Sequence, residues 1–280
     1  MKIRTRQDVE AALALFVRDA NGVATLADSF VRLSSELHMR SAKGEDVARL
    51  QAAVVGLSGE HSSLLTILER SEWQKRMAKS GQLDHMSWLF FATLDVEHFY
   101  VALRSLFDHL AGVCDAVATK KNQCPTSFST LWLWCGEMPE RAERLLGADL
   151  VSLVRACDWF ESARDTRDGI VHFGALTLAF PSFETVSFKV YAGQRSSVVP
   201  DELMTNENIA DFELFMAWTL GNLGLLMDRL GSLVLMRIAE REQLHTRVTR
   251  PGFATLCVYL DRLAVRLDTA EPAESGAPGA

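Results

Sequence analysis

The segment 157–174 gathers the side chains with the most chemical capacity: Arg164, Arg167, Asp168 and His172. If the chain from Asp149 to about His172 is one helix turning 100° per residue, Leu150, Leu153, Cys157 and Phe160 share a face. The same stripe then runs into Arg164, Arg167 and Val171. Two guanidinium groups therefore point where the upstream turns point apolar side chains. An arginine entering a packed face must be paired or must line a cleft, because a lone buried charge costs too much. Asp168 stands four residues after Arg164 and four before His172, which allows a ladder Arg164–Asp168–His172 with the carboxylate orienting the imidazole. Arg167 and His172 are five apart, about 140° around a helix, yet a long arginine near a helix end reaches the same cleft.

Helix 84–118 offers matching groups. Leu89, Ala92, Val96, Phe99, Leu103, Leu106, Leu110, Val113 and Val117 repeat at steps of three and four, one apolar stripe along about eight turns. Arg104 and Asp108 form an i,i+4 pair beside it, and antiparallel packing would let Asp108 pair with Arg164 or Arg167. The same set serves equally well as an interhelical ion-pair network that only fixes register, since such networks resemble active sites.

The rest of the chain must position these two helices. The fold class read from it is predominantly all-α. Residues 7–40 and 45–79, the latter interrupted near Gly56 and Gly59, read as an N-terminal long helical hairpin filling 1–80. Residues 119–127 read as a loop, and 128–147 as one or two short helices with Trp132 and Trp134 buried. Phe173-Gly174 supplies a stop signal. Ala175–Phe180 and Thr185–Tyr191 are β-branched and aromatic around Pro181-Ser182-Phe183-Glu184, a β-hairpin at about 175–191. Residues 192–205 read as a loop, about 206–244 as a long helix and 252–267 as another. The segment 84–268 is thus a helical core, 269–280 a disordered tail, and the whole one compact unit.

Arg167-Asp168-Gly169-Ile170-Val171-His172 resembles the R-x(4–6)-H signature on the last core helix of HEPN domains, and helix 97–117 looks like their first core helix. The resemblance covers about residues 85–175. It implies an antiparallel HEPN-like bundle, with the N-terminal helical pair and the hairpin as additions. It also implies a homodimer that cleaves RNA without a metal. His172 would act as general base or acid toward the ribose 2′-OH, and Arg167 would hold the scissile phosphate. Arg164, Asp168, Asp108 and Arg104 would support them. The polar position is often Asn in this family and is Asp168 here, an acid that would repel RNA unless Arg164 neutralises it. Many HEPN-like proteins are not nucleases. The alternative is a non-catalytic interaction or ligand-sensing protein, and under either reading a protein partner such as an antitoxin is open.

Composition sets the outer limits. The 280 residues are 48% hydrophobic and 23% charged, an ordinary globular profile. A net charge of −7 disfavours duplex DNA binding by the bulk surface. The longest uncharged stretches, 122–136 and 169–183, are too short and too polar to cross a bilayer, and the N-terminus has no signal-peptide core. The expectation is a soluble cytoplasmic protein without a membrane partner. Five cysteines with no C-x-x-C read as buried apolar groups in a reducing compartment. No metal or cofactor is expected. Asp108 and His109 diverge by about 100° on a helix, and Glu242–His245 is the only E-x-x-H, whereas a di-iron bundle needs two. Phosphate-loop, dinucleotide, hydrolase-elbow and zincin motifs do not occur.

Overall fold

The computed structural model describes residues 2–18, 24–26, 28–120, 123–160, 163–165, 167–168, 178–189, 199–206, 208–238 and 247–270. Helix α1, Arg6–Leu13, starts on a capping box: the Thr5 hydroxyl accepts from Asp8 N, and the Asp8 carboxylate accepts from Thr5 N. The expected single helix over 7–40 does not form. Strands β1 (Phe16–Arg18) and β2 (Ala24–Leu26) pair antiparallel instead, and α2 begins only at Ser29, running to Ala42 with Asp28 as its cap. Asn21-Gly22 lies between the two strands in sequence. That dipeptide is poor in a helix and favoured between hairpin strands.

Helix α3, Ala48–Lys79, is continuous through Gly56 and Gly59, contrary to the interruption read there. Gly56 serves close packing: a Cβ at this position would fall 2.4 Å from the His109 ring. Helix α4, His85–Val117, returns antiparallel to α3 as an αα-hairpin, turning at Gly81 with φ +74°. Short helices α5 (Phe128–Glu137), α6 (Pro139–Leu146) and α7 (Ala148–Arg155) follow. Trp132 and Trp134, expected inside, are only half-buried. Trp132 lies beneath the Arg155 guanidinium, 3.8 Å from the ring centre.

The expected hairpin is present as β3 (Ala179–Pro181) and β4 (Val186–Lys189) around a Ser182–Thr185 turn. It belongs to a larger antiparallel sheet, order β3-β4-β6-β5, with β5 at Met204–Asn206 and β6 at Ile209–Asp211. Residues 204–206 and 209–211, expected as loop end and helix start, are therefore strands. The long helix α8 runs Phe212–Ile238, beginning where the Asp211 carboxylate accepts from Leu214 N at 2.9 Å. Strand β7, Val248–Thr249, adds to β2, and α9 runs Phe253–Ala270.

One apolar core extends from Ile3 to Leu267. The expected N-terminal pair does not stand apart as a unit: α2 touches α3 but packs chiefly on α8, α1 packs on α9 and α8, and α3 packs on α4. Ile3 straps the N-terminal segment to α8, its N–H donating to Asn222 Oδ1 at 2.7 Å and its carbonyl accepting from Trp218 Nε1 at 2.9 Å. The start of α2 also lies on α8, where Ser29 N donates to Asp228 and Gly231 leaves room for the Ser29–Phe30 backbone. Among the described residues no helix is long and apolar enough to cross a membrane.

Candidate functional site

The helix expected over 149–172 is broken. Helix α7 starts after Gly147, which has φ +79°, and ends at Arg155. A turn closed by Cys157 N donating to Val154 O separates it from Phe160, 163–165 and 167–168, which are helical again. Leu150, Leu153, Cys157 and Phe160 are still all buried. Phe160 inserts between Phe107 of α4 and Phe128 of α5, with ring centres 4.7 Å from each. A fully buried phenyl ring contributes about 1.5–3 kcal/mol, so this contact fixes where the following arginines emerge.

A chain of polar contacts surrounds that anchor. The Arg104 guanidinium lies 5.5 Å from the Phe160 ring centre and pairs with Asp108. The Asp108 carboxylate also accepts from Phe128 N at 2.9 Å, satisfying a free donor at the start of α5. Arg164 donates to Ser129 Oγ at 2.6 Å and to the Asp165 carboxylate at 2.9 Å. Arg167 donates to Asp168 at 2.8 Å. Arg104, Asp108 and Arg164 are thus gathered around the first turn of α5. The proposed ladder is not: Arg164 takes Asp165 rather than Asp168, and Asp108 takes Arg104 and a backbone amide rather than Arg164 or Arg167. The reason is local: a guanidinium reaches the next residue's carboxylate with little ordering cost, and Arg164 and Arg167 each take the acid beside them. His172 lies outside the described residues, as do Glu242 and His245.

Two further sets were not read from the sequence. The first is a groove of about 790 Å³ between α3 and α4. Its floor is Asp95, buried and held by Arg70 and by Gln74 Nε2 at 2.8 Å. Burial pushes the Asp95 carboxyl up despite the Arg70 charge. Its walls are Trp73, Phe91, Leu94 and Val101, and with Met86 and Phe90 these side chains stand 40–70% exposed. Phe91, Leu94, His98 and Val101 recur at steps of three, four and three, the spacing of a coiled-coil seam. That pattern was legible, but a stronger core stripe on the opposite face of the same helix drew the reading.

The second is an inner polar network. Lys75 pairs with Glu213 and Glu72 and donates to the Tyr259 hydroxyl at 2.8 Å. Glu213 also accepts from Ser71, Thr185 and Val186 N. It joins α3, α8, α9 and the β3–β4 hairpin, a union of segments that no sequence spacing announces.

All five cysteines are free and buried, and burial pushes each thiol up, Cys124 to about 11 and Cys157 to about 12. They are inert packing groups. Among the described residues no group of three or more His, Cys, Asp or Glu is placed to hold a metal ion. The sequence matches no family model and no curated protein, and the fold matches no solved structure.

Proposed function

We propose that the protein is a HEPN-like homodimer that cleaves RNA in the cytoplasm without a metal ion. The observation that carries this reading is the tandem of Arg164–Asp165 and Arg167–Asp168 directly after the buried Phe160 anchor. The two guanidinium groups are about a quarter exposed, and each is held by its neighbouring carboxylate. Such partly hydrated pairs contribute roughly 0–1 kcal/mol. A phosphodiester offers a guanidinium a bidentate charge-assisted pair and can replace either carboxylate.

In this reading Arg167 holds the scissile phosphate and balances its added negative charge. His172 takes the proton from the 2′-OH as that oxygen bonds to phosphorus. The bond from phosphorus to the 5′-oxygen breaks and that oxygen takes up a proton. The products are a 2′,3′-cyclic phosphate and a 5′-hydroxyl.

The α3–α4 face supports association with a second copy. Its six exposed side chains leave on the order of 600 Å² of apolar surface in water, the upper end for a monomer. That is most of the ~800 Å² per partner in a standard interface. The coiled-coil spacing of Phe91, Leu94, His98 and Val101 on one helix suits a symmetric helix-on-helix contact.

One observation favours a second reading, a non-catalytic interaction protein. Arg104, Asp108 and Arg164 bind α5 to α4 and to the segment after α7, which is a structural task in itself. Labelled RNA incubated with wild type, Arg167→Ala and His172→Ala, with and without EDTA, separates the two. Cleavage by wild type alone, insensitive to EDTA and leaving cyclic phosphate ends, is the expected result. Cleavage that persists in a clean His172→Ala preparation removes His172 from the mechanism. No cleavage by any of the three transfers the assignment to the interaction protein.

A further inference from the structure

A second cationic site lies on the opposite side of α3, in a small cleft where β7, α2, α3 and α8 meet. Arg250 follows β7 and turns its guanidinium inward. It donates to Ser58 O at 2.8 Å and to the hydroxyls of Ser58 and Ser62. No carboxylate among the described residues lies within ion-pair distance of it, so these neutral oxygens are its whole support. Burial accordingly pulls its pKa down, against a slight upward pull from Asp28. A half-buried cation without a counter-ion is costly to maintain.

The cleft beside it has a volume of about 60 Å³. A single water needs ~10–15 Å³ measured this way, so a group of about four oxygens fits. Ser34 and Ser35 of α2 and Ser58 and His61 of α3 line it together with Arg250. The Ser34 and Ser35 hydroxyls make no hydrogen bond with the described residues. His61 is 2% exposed and makes none either, its contact being the Phe253 ring. Burial and the Arg250 charge hold the imidazole down to about 3, so it is neutral, with one N–H to give and one nitrogen to accept. The ring lines the cleft without a hydrogen bond to the described residues.

No carboxylate lines the cleft. The acid whose charge acts on Arg250 is Asp28, whose Oδ1 accepts from Val31 N at 2.8 Å and whose Oδ2 has no partner. Burial and Asp228 push its carboxyl up to about 6, which weakens its field in mildly acid solution.

We propose that this cleft is a binding site for a small tetrahedral oxyanion of the phosphate class, held by Arg250, the hydroxyls of Ser34, Ser35 and Ser58, and the N–H of His61. One positive charge, three serines and one imidazole line a space of that size, beside the apolar side chains of Leu26, Phe30 and Met227. The site shares no residue with the Arg164–Arg167 tandem and is independent of the ribonuclease reading.

The test is titration of inorganic phosphate into the full chain at constant ionic strength, read by calorimetry and by Tm. Wild type should give one saturable site and a Tm rise of about 3 °C at ten times Kd. The Ser34→Ala/Ser35→Ala variant removes hydroxyls that support nothing else, so its resting Tm should hold while affinity falls about tenfold. Arg250→Gln should remove binding. An Arg164→Ala/Arg167→Ala variant should bind as wild type does. Absence of a saturable site in wild type, unchanged affinity in the serine variant, or binding lost only with Arg164 and Arg167 would each overturn the proposal.

Discussion

Lys75 and Glu213 form an ion pair that is almost wholly buried, their side chains 6% and 1% exposed. The ammonium sits under the Tyr259 hydroxyl, and the carboxylate receives Ser71 and Val186 N. Truncating Lys75 leaves the buried Glu213 carboxylate without its counter-charge. Lys75→Met should therefore cost about 3–5 kcal/mol in urea unfolding, while Lys75→Met with Glu213→Leu should recover much of the loss. Burial, the largest influence on Glu213, raises its pKa. The single variant should lose less at acid pH, where Glu213 takes up a proton. Equal stability of single variant and wild type would show that the pair carries no energetic weight.

Asp28 predicts a pH dependence with a definite sign. Its folded pKa, about 6, lies above the ordinary 3.8 because of burial and then the Asp228 charge. A raised acid contributes stability below about pH 4 that is lost as pH rises through about 6. Asp28→Asn keeps an oxygen for Val31 N and cannot ionise. It should match wild type near pH 4 and exceed it by about 3 kcal/mol at pH 8. Parallel stability curves from pH 4 to pH 8 would rule this out.

The Arg164 pair should matter little to stability. Its partner Asp165 is 37% exposed, so a stranded carboxylate is hydrated. Arg164→Ala should cost about 0.5–1 kcal/mol. Asp108→Ala strands both Arg104 and the amide of Phe128, and should cost about 1–3 kcal/mol. Thermal melts of the two variants check the order. The reverse order would make Arg164 a structural post and weaken its assignment to RNA.

The exposed face of α4 predicts a clean change of mass. Phe90→Glu and Leu94→Arg replace side chains that are 58% and 42% exposed, so the fold should tolerate them. Light scattering should show the dimer of wild type becoming a monomer in either variant. A wild-type monomer at about 100 μM would discard association through this face and any composite active site.

The predominantly helical class and helix α4 were legible because one dominant apolar stripe repeats over about eight turns. The hairpin at 179–189 was legible from its β-branched runs. The break of the helix at Cys157-Asp158 was not, since neither residue is a helix breaker and the turn is imposed by Trp159 and Phe160 docking on Phe107. Pairings such as β2 with β7, or Lys75 with Glu213, join residues far apart in sequence and leave no periodic trace. For the site, the gathering of Arg104, Asp108 and Arg164 followed from helix faces. The Arg104–Asp108 pair was legible from its i,i+4 spacing and forms, whereas the partner of Arg164 was not, because spacing alone leaves Asp165 and Asp168 equally open to it.

The strap between Ile3 and α8 has a consequence for how the chain is made. Its hydrogen-bond partner Asn222 lies 219 residues downstream, and α1 rests on α9, which is later still. On the ribosome, α1 emerges first among the described helices and has no surface to bury against until α8 and then α9 have been synthesised. At about 5–20 residues per second that delay is tens of seconds. The α3–α4 hairpin, joined by a five-residue turn, has no such wait and can form early. Vectorial synthesis should thus build the middle first and clasp the ends last, and the clasp is where a stalled or shortened chain is most exposed to proteases and chaperones.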